Sequence, residues 1–384
     1  MKRILYLSKS YAPALGGVET FVRQLAEAPE HSSRALVAAH EPFTPLSTER
    51  LRGVEVIRAP SLGLRFSTPL APSYFYHLLR EIERADLIHL QIPFPLGELG
   101  LAVFMRAIRK KKLVVTFHAD PALTRWGALL SLYRPLFDRI LRRADRIVVT
   151  APANRDHAPS LAPYREKVEI IPLAFDPIDE AKARIRAMEL KQSLGLSVEG
   201  SRDEKIALFL GRLAYYKGLP ILLSAMKRVE GARLIVAGDG ELRDEARAFV
   251  EREGLGERVI FVGAVEDEDV AAYFELADLF VFPSITPSEA FGIVQLEALR
   301  AGVPIINTAL PTGVPFVSPD GETGLTIPPE DEDALAEAMK MILSDDALRE
   351  RFRERALERS GLFTLGAMRA SYRAIYEELL GPLG

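Results

Sequence analysis

Short apolar runs of five to seven residues alternate along the chain with longer, charge-rich stretches in which apolar residues recur every three or four positions. The runs read as strands buried on both faces of a parallel sheet, and the stretches between them as helices covering those faces. The first half offers RILYLS (3–8), ALVAAH (35–40), VEVIR (54–58), DLIHLQ (86–91), LVVTF (113–117), RIVVT (146–150) and VEIIP (168–172). The second half offers KIALFLG (205–211), ARLIVAG (232–238), RVIFVG (258–263), ADLFVFP (277–283), VPIIN (303–307) and TGLTI (323–327). Unbroken strand–helix alternation predicts an α/β protein with two Rossmann-like, doubly wound parallel sheets and a cleft between them. A charged stretch at 179–204, ending in SVEGSRDE, reads as a helix plus an exposed loop, so the boundary falls just before it, near Leu173 to Pro177. The expected domains are 1–174 and 175–362, with an amphipathic helix in the closing segment 363–384.

In open parallel sheets, ligands bind at the carboxyl ends of the strands. The residues just after each apolar run are therefore where chemistry is sought. Ser288 to Ala298 reads SEAFGIVQLEA, with Glu289 and Glu297 eight positions apart. The expected order is strand, loop, then helix, with Glu289 at the helix mouth and a stop at Gly302. Eight helical residues would separate the two carboxylates by about 12 Å. The plain alternative is a first-turn charge followed by a solvent-facing one.

Gly211 to Gly218 reads GRLAYYKG and places Arg212 and Lys217 on a strand-to-helix loop, where two cations suit a diphosphate or are simply surface charges. In VAGDGELRDE, Gly238 and Gly240 flank Asp239, a weak nucleotide signal. In FVGAVEDED, Val265 lies on another rim loop, and Glu266 to Asp269 reads as a helix-start charge run rather than a metal site. In the first half, Gly16 and Gly17 of SKSYAPALGGVE sit where strand turns to helix and permit either close ligand approach or a tight turn. This is not GxGxxG, which argues against a nicotinamide cofactor. His118 ends the run VVTFH and reads as functional, whereas His89, inside DLIHLQ, reads as core.

Composition narrows the picture. The chain has 384 residues, enough for two or three domains, and no cysteine, which excludes disulfides and thiolate metal sites. No run of eighteen apolar residues occurs, and MKRILYLS begins directly as a strand, so neither a membrane span nor a leader is expected. Residues 1–172 carry 25 Lys and Arg against 16 Asp and Glu, a net of +9; the remainder carries 24 against 37, a net of −13. Two basic helices are expected, over 98–112 (Arg106, Arg109, Lys110, Lys111, Lys112) and 128–146 (Arg134, Arg139, Arg142, Arg143, Arg146). Two readings stand for them: contact with an anionic membrane surface, or one core face and one solvated face. No nucleic-acid reader is recognisable.

Together, GGVETF, TFHAD, GRLAYYKG, VAGDGELRDE and SEAFGIVQLEALRAGVPII followed by ETGLTIPPED resemble the family 4 retaining glycosyltransferases of the two-domain GT-B fold, over nearly the whole chain. The resemblance implies that Arg212 and Lys217 neutralise the diphosphate of a nucleotide-sugar donor. It implies that Glu297 accepts ribose hydroxyls, and that Glu289 faces the transferred sugar. The backbone of Ala290, Phe291, Gly292 and Ile293 would hold sugar and phosphate. Gly16, Gly17 and Gly238 would line the donor, Val265 would touch the base, and His118 the sugar. The catalytic set would be His118, Glu289, Arg212 and Lys217, with no metal and no cofactor beyond the donor, and the C-terminal helix would cross back to the first domain. SITPSEAFG and LPTGVPFV are similar to bacterial mannosyl- and rhamnosyltransferases of surface-polysaccharide assembly. This suggests GDP-mannose as donor; the expected acceptor is a saccharide or lipid-linked saccharide. The absence of cysteine fits a reducing cytosol, and the membrane-contact reading of the basic helices would put the enzyme at the membrane's inner face. Two departures stand out: Leu173 and Ala174 replace the family's Asn-Gly pair, and Ala119 separates His118 from Asp120. A non-enzymatic nucleotide-sugar-binding protein and a sugar-nucleotide epimerase on the same fold are the competing readings.

Overall fold

The computed structural model describes residues 1–383 except 15, 40, 66–67, 121–126, 177 and 197–203, with backbone only at 64, 65, 68 and 127–133. The end of the strand expected at 40, the boundary proline at 177 and residues 197–203 of the expected loop lie outside the described residues. The chain divides into two compact units, Met1–Ala174 with Leu365–Gly384, and Phe175–Thr364.

The first unit contains β1 (Arg3–Leu7), β2 (Ser32–Ala38), β3 (Ser47–Leu51), β4 (Val54–Ala59), a small hairpin of β5 (Leu64–Arg65) and β6 (Thr68–Pro69), β7 (Leu87–Ile92), β8 (Lys112–Phe117), β9 (Arg146–Val149) and β10 (Val168–Ile170). Eight of these form one sheet in the order β10-β9-β8-β7-β1-β2-β4-β3. The second unit contains β11 (Lys205–Leu210), β12 (Ala232–Ala237), β13 (Val259–Gly263), β14 (Leu279–Val281), β15 (Ile305–Thr308) and β16 (Gly324–Ile327), in the order β13-β12-β11-β14-β15-β16. Every apolar run read as a strand is one. Strands such as Leu87–Ile92 are buried at all positions, and each fully buried Val, Leu or Ile contributes about 1.5–3 kcal/mol.

Two expectations are corrected. The first sheet is not purely parallel, because β3 pairs antiparallel with β4. The turn between them is closed by Arg52 (φ 44°) and Gly53 (φ 90°), the positive-φ pair that joins a tight hairpin. As an edge strand with little buried surface, β3 lacks the apolar pattern that marks the others. The two basic helices are also shorter than expected. Residues 98–112 comprise the end of the Pro95–Val103 helix, a 3₁₀ turn at Ala107–Lys110, and the start of β8; the second helix is Gly127–Arg143 and Arg146 opens β9.

Several of the basic side chains serve as caps rather than as a free surface. Lys111 Nζ donates to the carbonyls of Glu83 (3.0 Å) and Ala85 (2.7 Å) at a helix C-terminus. Arg143 donates to the Ile108 carbonyl (3.1 Å) and pairs with Asp145 (3.0 Å). Such cations answer the exposed carbonyls and negative dipole of a helix end. Among the described residues, no helix is long and apolar enough to cross a membrane.

The closing helix, Leu365–Leu380, packs on the first sheet through a chain of buried hydrogen bonds. Tyr376 Oη lies 2.7 Å from His89 Nδ1, His89 Nε2 lies 2.7 Å from Thr116 Oγ1, and Thr116 Oγ1 lies 3.0 Å from Tyr372 Oη. Tyr6 Oη adds His31 Nε2 at 2.9 Å. His89 is thus a core residue, as its place inside a strand suggested. Burial pushes His31 down to about 4 and His89 to about 3.

Both histidines are held neutral, so below pH 6.5 the unfolded chain binds protons that the folded chain refuses. Stability is therefore expected to fall as pH drops from 6.5 toward 4, by about 1.4 kcal/mol per unit for each fully shifted group. Buried Glu98, raised to about 8 by burial, and Glu297, raised in the same direction, work in the opposite sense, against the lowered histidines His31, His89 and His118. Urea midpoints measured across pH 7 to 4 should decline, and His31→Asn should flatten the decline; an unchanged slope in that variant would assign the effect elsewhere.

Candidate active site

In the second sheet the chain runs outward from β11 through β12 to β13, then returns to the other side of β11 as β14. The pair β11–β14 is therefore a switch point, where the loops leaving two neighbouring strands diverge and open a crevice. The loop after β11 carries Gly211, Arg212 and Lys217, and the segment after β14 carries Ser284 and Glu289.

Lys217 Nζ meets Glu289 Oε2 at 2.5 Å, with the two side chains only 13% and 11% exposed. The ammonium also stands 4.9 Å over the Phe282 ring. Ser284 Oγ donates to the same carboxylate oxygen at 3.3 Å, and the Ser284 carbonyl accepts from Thr308 Oγ1 at 2.5 Å. Close backbone approach brings the pair together. Gly218 takes φ 72°, and a Cβ there would lie 1.9 Å from the Pro283 carbonyl oxygen. Only glycine allows the β11 loop to press on the β14 exit, where Ile285 N–H donates to the Tyr216 carbonyl at 2.8 Å. Gly238 plays a similar part: a Cβ there would lie 1.9 Å from the Gly211 carbonyl oxygen, so its lack of a side chain serves loop packing.

The helix expected to start at Glu289 begins instead at Val294 and ends at Arg300. Glu289 follows a turn closed by its own N–H to the Thr286 carbonyl at 3.1 Å. Gly292, at φ 75°, then breaks any helical continuation, with the Phe282 ring and the Gln295 amide filling the space beside it. The two glutamates therefore do not stand at opposite ends of one helix, and the 12 Å helical spacing expected between them does not apply. The stop at Gly302 (φ 69°) is where the sequence placed it.

Ala290 to Ile293 form the intervening loop, held from below by a buried polar network. Gln295 Nε2 donates to the Phe291 carbonyl (3.3 Å), and Asn307 Nδ2 donates to Gln295 Oε1 (3.0 Å). Thr326 Oγ1 donates to Asn307 Oδ1 at 2.7 Å, and Gly313 N–H to the Ala290 carbonyl at 2.8 Å. A fully partnered buried network makes this loop rigid.

The other candidates in this unit are more scattered. Arg212 is 69% exposed, its guanidinium 3.6 Å from Glu241, so it does not share the buried environment of Lys217. Val265 is half-buried before the Asp267–Leu276 helix, whose first turn holds Asp267, Glu268 and Asp269 as expected of a helix start. Glu297 lies in the first turn of the Val294–Arg300 helix and accepts from Arg300; burial raises its carboxyl, and Arg300 opposes that shift.

In the first unit, His118 follows β8 directly. Its N–H donates to the Ile92 carbonyl at 2.9 Å, and its ring stands edge-on to Phe21 at 5.1 Å. Its Nε2 lies 3.0 Å from Gln91 Oε1. Burial lowers His118 to about 4, so it is neutral at pH 7. Gly16 precedes the Gly17–Ala26 helix, and the Glu19 carboxylate folds back over it, accepting from Ser10 Oγ at 2.5 Å. Asp120 accepts from Ser160 N–H (3.1 Å) and Oγ (2.8 Å), a turn-holding role.

The sequence reading missed Ser284, Gln91 and Arg300. Ser284 and Gln91 each close an apolar run, the one signal that could have singled them out. Among the described residues, no group of three His, Cys, Asp or Glu side chains gathers as a metal cage.

A family model described as "Glycosyl transferases group 1" matches residues 197–359, and one described as "Glycosyltransferase Family 4" matches residues 15–178. The chain is 31% identical over 383 residues to the O-antigen chain mannosyltransferase C of Escherichia coli, covering 98% of this chain and 99% of that one. It is 33% identical over 347 residues to the D-rhamnosyltransferase WbpZ of Pseudomonas aeruginosa, covering 88% and 86%. Its fold is similar to that of sucrose-phosphate synthase from Thermosynechococcus elongatus, with a TM-score of 0.77, 25% identity and 99% of each chain covered. It is similar also to Anabaena HepE, solved with UDP, with a TM-score of 0.77, 22% identity and coverage of 98% and 100%. The chain belongs to the family 4, group 1 glycosyltransferases of the GT-B fold.

Proposed function

We propose that this glycosyltransferase moves a hexose, mannose from GDP-mannose as the first choice, onto a saccharide or lipid-linked saccharide acceptor with retention of anomeric configuration and without a bound metal. The observation that carries this reading is the buried Lys217–Glu289 pair at the β11–β14 switch point. The C1–O bond to the diphosphate breaks with its electron pair passing to the phosphate oxygen. A new C1–O bond forms to an acceptor hydroxyl, whose proton goes to the departing phosphate on the same face. The leaving group gains negative charge as the sugar gains positive charge. A fixed ammonium in a partly dry site stabilises that developing charge more than it stabilises the ground state. Lys217 supplies it, and Arg212, on its exposed loop, adds a second cation that swings to the diphosphate.

Glu289 holds Lys217 in place and accepts from a sugar hydroxyl. The rigid 290–293 loop offers backbone N–H groups to sugar and phosphate, Glu297 accepts the ribose hydroxyls, and the neutral His118 hydrogen-bonds the sugar. Gly16, Gly17 and Val265 line the donor. The mannosyl choice is supported by the names of the two relatives, one a mannosyltransferase and one a D-rhamnosyltransferase.

A thermal-shift series with GDP, UDP and their hexose conjugates tests the donor. At one hundred times Kd the stabilisation is about 2.7 kcal/mol, roughly 5–10 °C for a domain of this size. GDP-mannose should give the larger shift, and NMR of the product should show the donor's anomeric configuration. A larger shift with UDP-sugars would replace the donor, and an inverted anomer would end the retaining assignment.

A further inference from the structure

Arg300 has no place in the roles assigned above, yet its side chain is only 11% exposed. It lies one helical turn beyond Glu297 and donates to Glu297 Oε2. Its guanidinium carbon stands 5.4 Å over the ring of Phe175, the first residue of that unit. Phe175 is itself fixed, its N–H donating to the Phe363 carbonyl at 3.2 Å. Phe363 packs edge-on against Phe291 of the site loop, centroids 6.3 Å apart. Among the described residues, Arg300 Nε and Nη1 have no hydrogen-bond partner. Glu297 is thus the acceptor this buried cation depends on, and the Phe175 ring fixes its plane.

We infer that Arg300 is a positioning residue for donor binding: it holds the Glu297 carboxylate in one rotamer, with an oxygen left open to the paired hydroxyls of a ribose. This rests on the proposed role of Glu297 as the ribose contact. The guanidinium takes Glu297 Oε2, so Oε1 is the oxygen left to accept the hydroxyl donors. The other charged groups facing Glu297 are Asp176 and Asp267, and both raise its proton affinity. The neighbouring Asp346–Ser360 helix contributes the Arg353 stem against Gly302. Burial and two acidic neighbours thus favour the neutral form, and Arg300 opposes them.

The test is donor KM as a function of pH in wild type, Arg300→Met, Arg300→Lys and Glu297→Gln. Arg300→Met should raise KM for the nucleotide sugar about tenfold at pH 7, with kcat within about threefold, the range of one charge-assisted hydrogen bond. It should also make KM rise more steeply with falling pH than in wild type, because the raised carboxyl then lacks the cation that opposes its protonation. Arg300→Lys should restore the wild-type profile while leaving KM elevated, because a point charge opposes protonation without fixing the carboxylate plane. If Glu297→Gln leaves KM unchanged, the ribose assignment itself fails. If Glu297→Gln raises KM but Arg300→Met keeps the wild-type pH profile, the ribose assignment survives and Arg300 is only a packing residue.

Discussion

Replacing Lys217 by methionine is expected to lower kcat by about 10²–10³-fold while KM for the donor changes little, the cost of removing one fixed charge that acts on the transition state. The expectation follows from where the ammonium is held. It is nearly buried, 2.5 Å from Glu289 and over the Phe282 ring, so it needs no reorganisation when leaving-group charge develops. Methionine keeps the stem's apolar contacts and removes only the charge. The variant also leaves the Glu289 carboxylate buried beside Ser284 without its cation, which costs up to about 3–5 kcal/mol. Melting temperature and kcat must therefore be read together, at saturating donor and well below the variant's Tm. Wild-type kcat in a folded Lys217→Met protein would remove Lys217 from the chemistry and leave it a structural ion pair.

Glu289→Gln is the companion change, expected to lower kcat by roughly 10–10²-fold, since it keeps the shape but loses the partner that aims Lys217. The double variant Lys217→Met, Glu289→Gln should be about as slow as Lys217→Met alone, because residues that act as one unit do not contribute independently. It should also be more stable than Lys217→Met, since no buried charge is left unpaired. Steady-state kinetics on the four proteins of this cycle decide the matter. Effects on kcat that simply multiply would mean that aiming Lys217 is no part of what Glu289 does.

Much of the architecture was legible in the chain. Runs such as IALFLG and ARLIVAG are apolar without alternation because both faces of those strands are covered, and a strand–helix repeat of that kind has few solutions other than a doubly wound parallel sheet. The chemistry-bearing loops were legible for the same reason: GRLAYYKG and SEAFGIVQLEA each follow such a run, and strand ends are where parallel sheets open. The edge strand β3 was not legible. Its side chains bury little surface, so its sequence is free of the apolar constraint that marks the others.

The sequence by itself determined the fold class, the family and which loops carry polar and glycine residues, because these depend on burial patterns and local backbone needs. Only the tertiary structure decided which of those residues meet. Lys217 and Glu289 are 72 positions apart and touch because β11 and β14 are neighbours at the switch point and a glycine at 218 lets two backbones close to contact. Arg212, matched to Lys217 by spacing, stays on the exposed side of its loop, and the helix drawn from Glu289 starts five residues later because Gly292 is held at positive φ. Spacing along a chain records which groups are present. The distance between them, and hence the field one exerts on another, is set by strand order and backbone packing, which no local window of sequence contains.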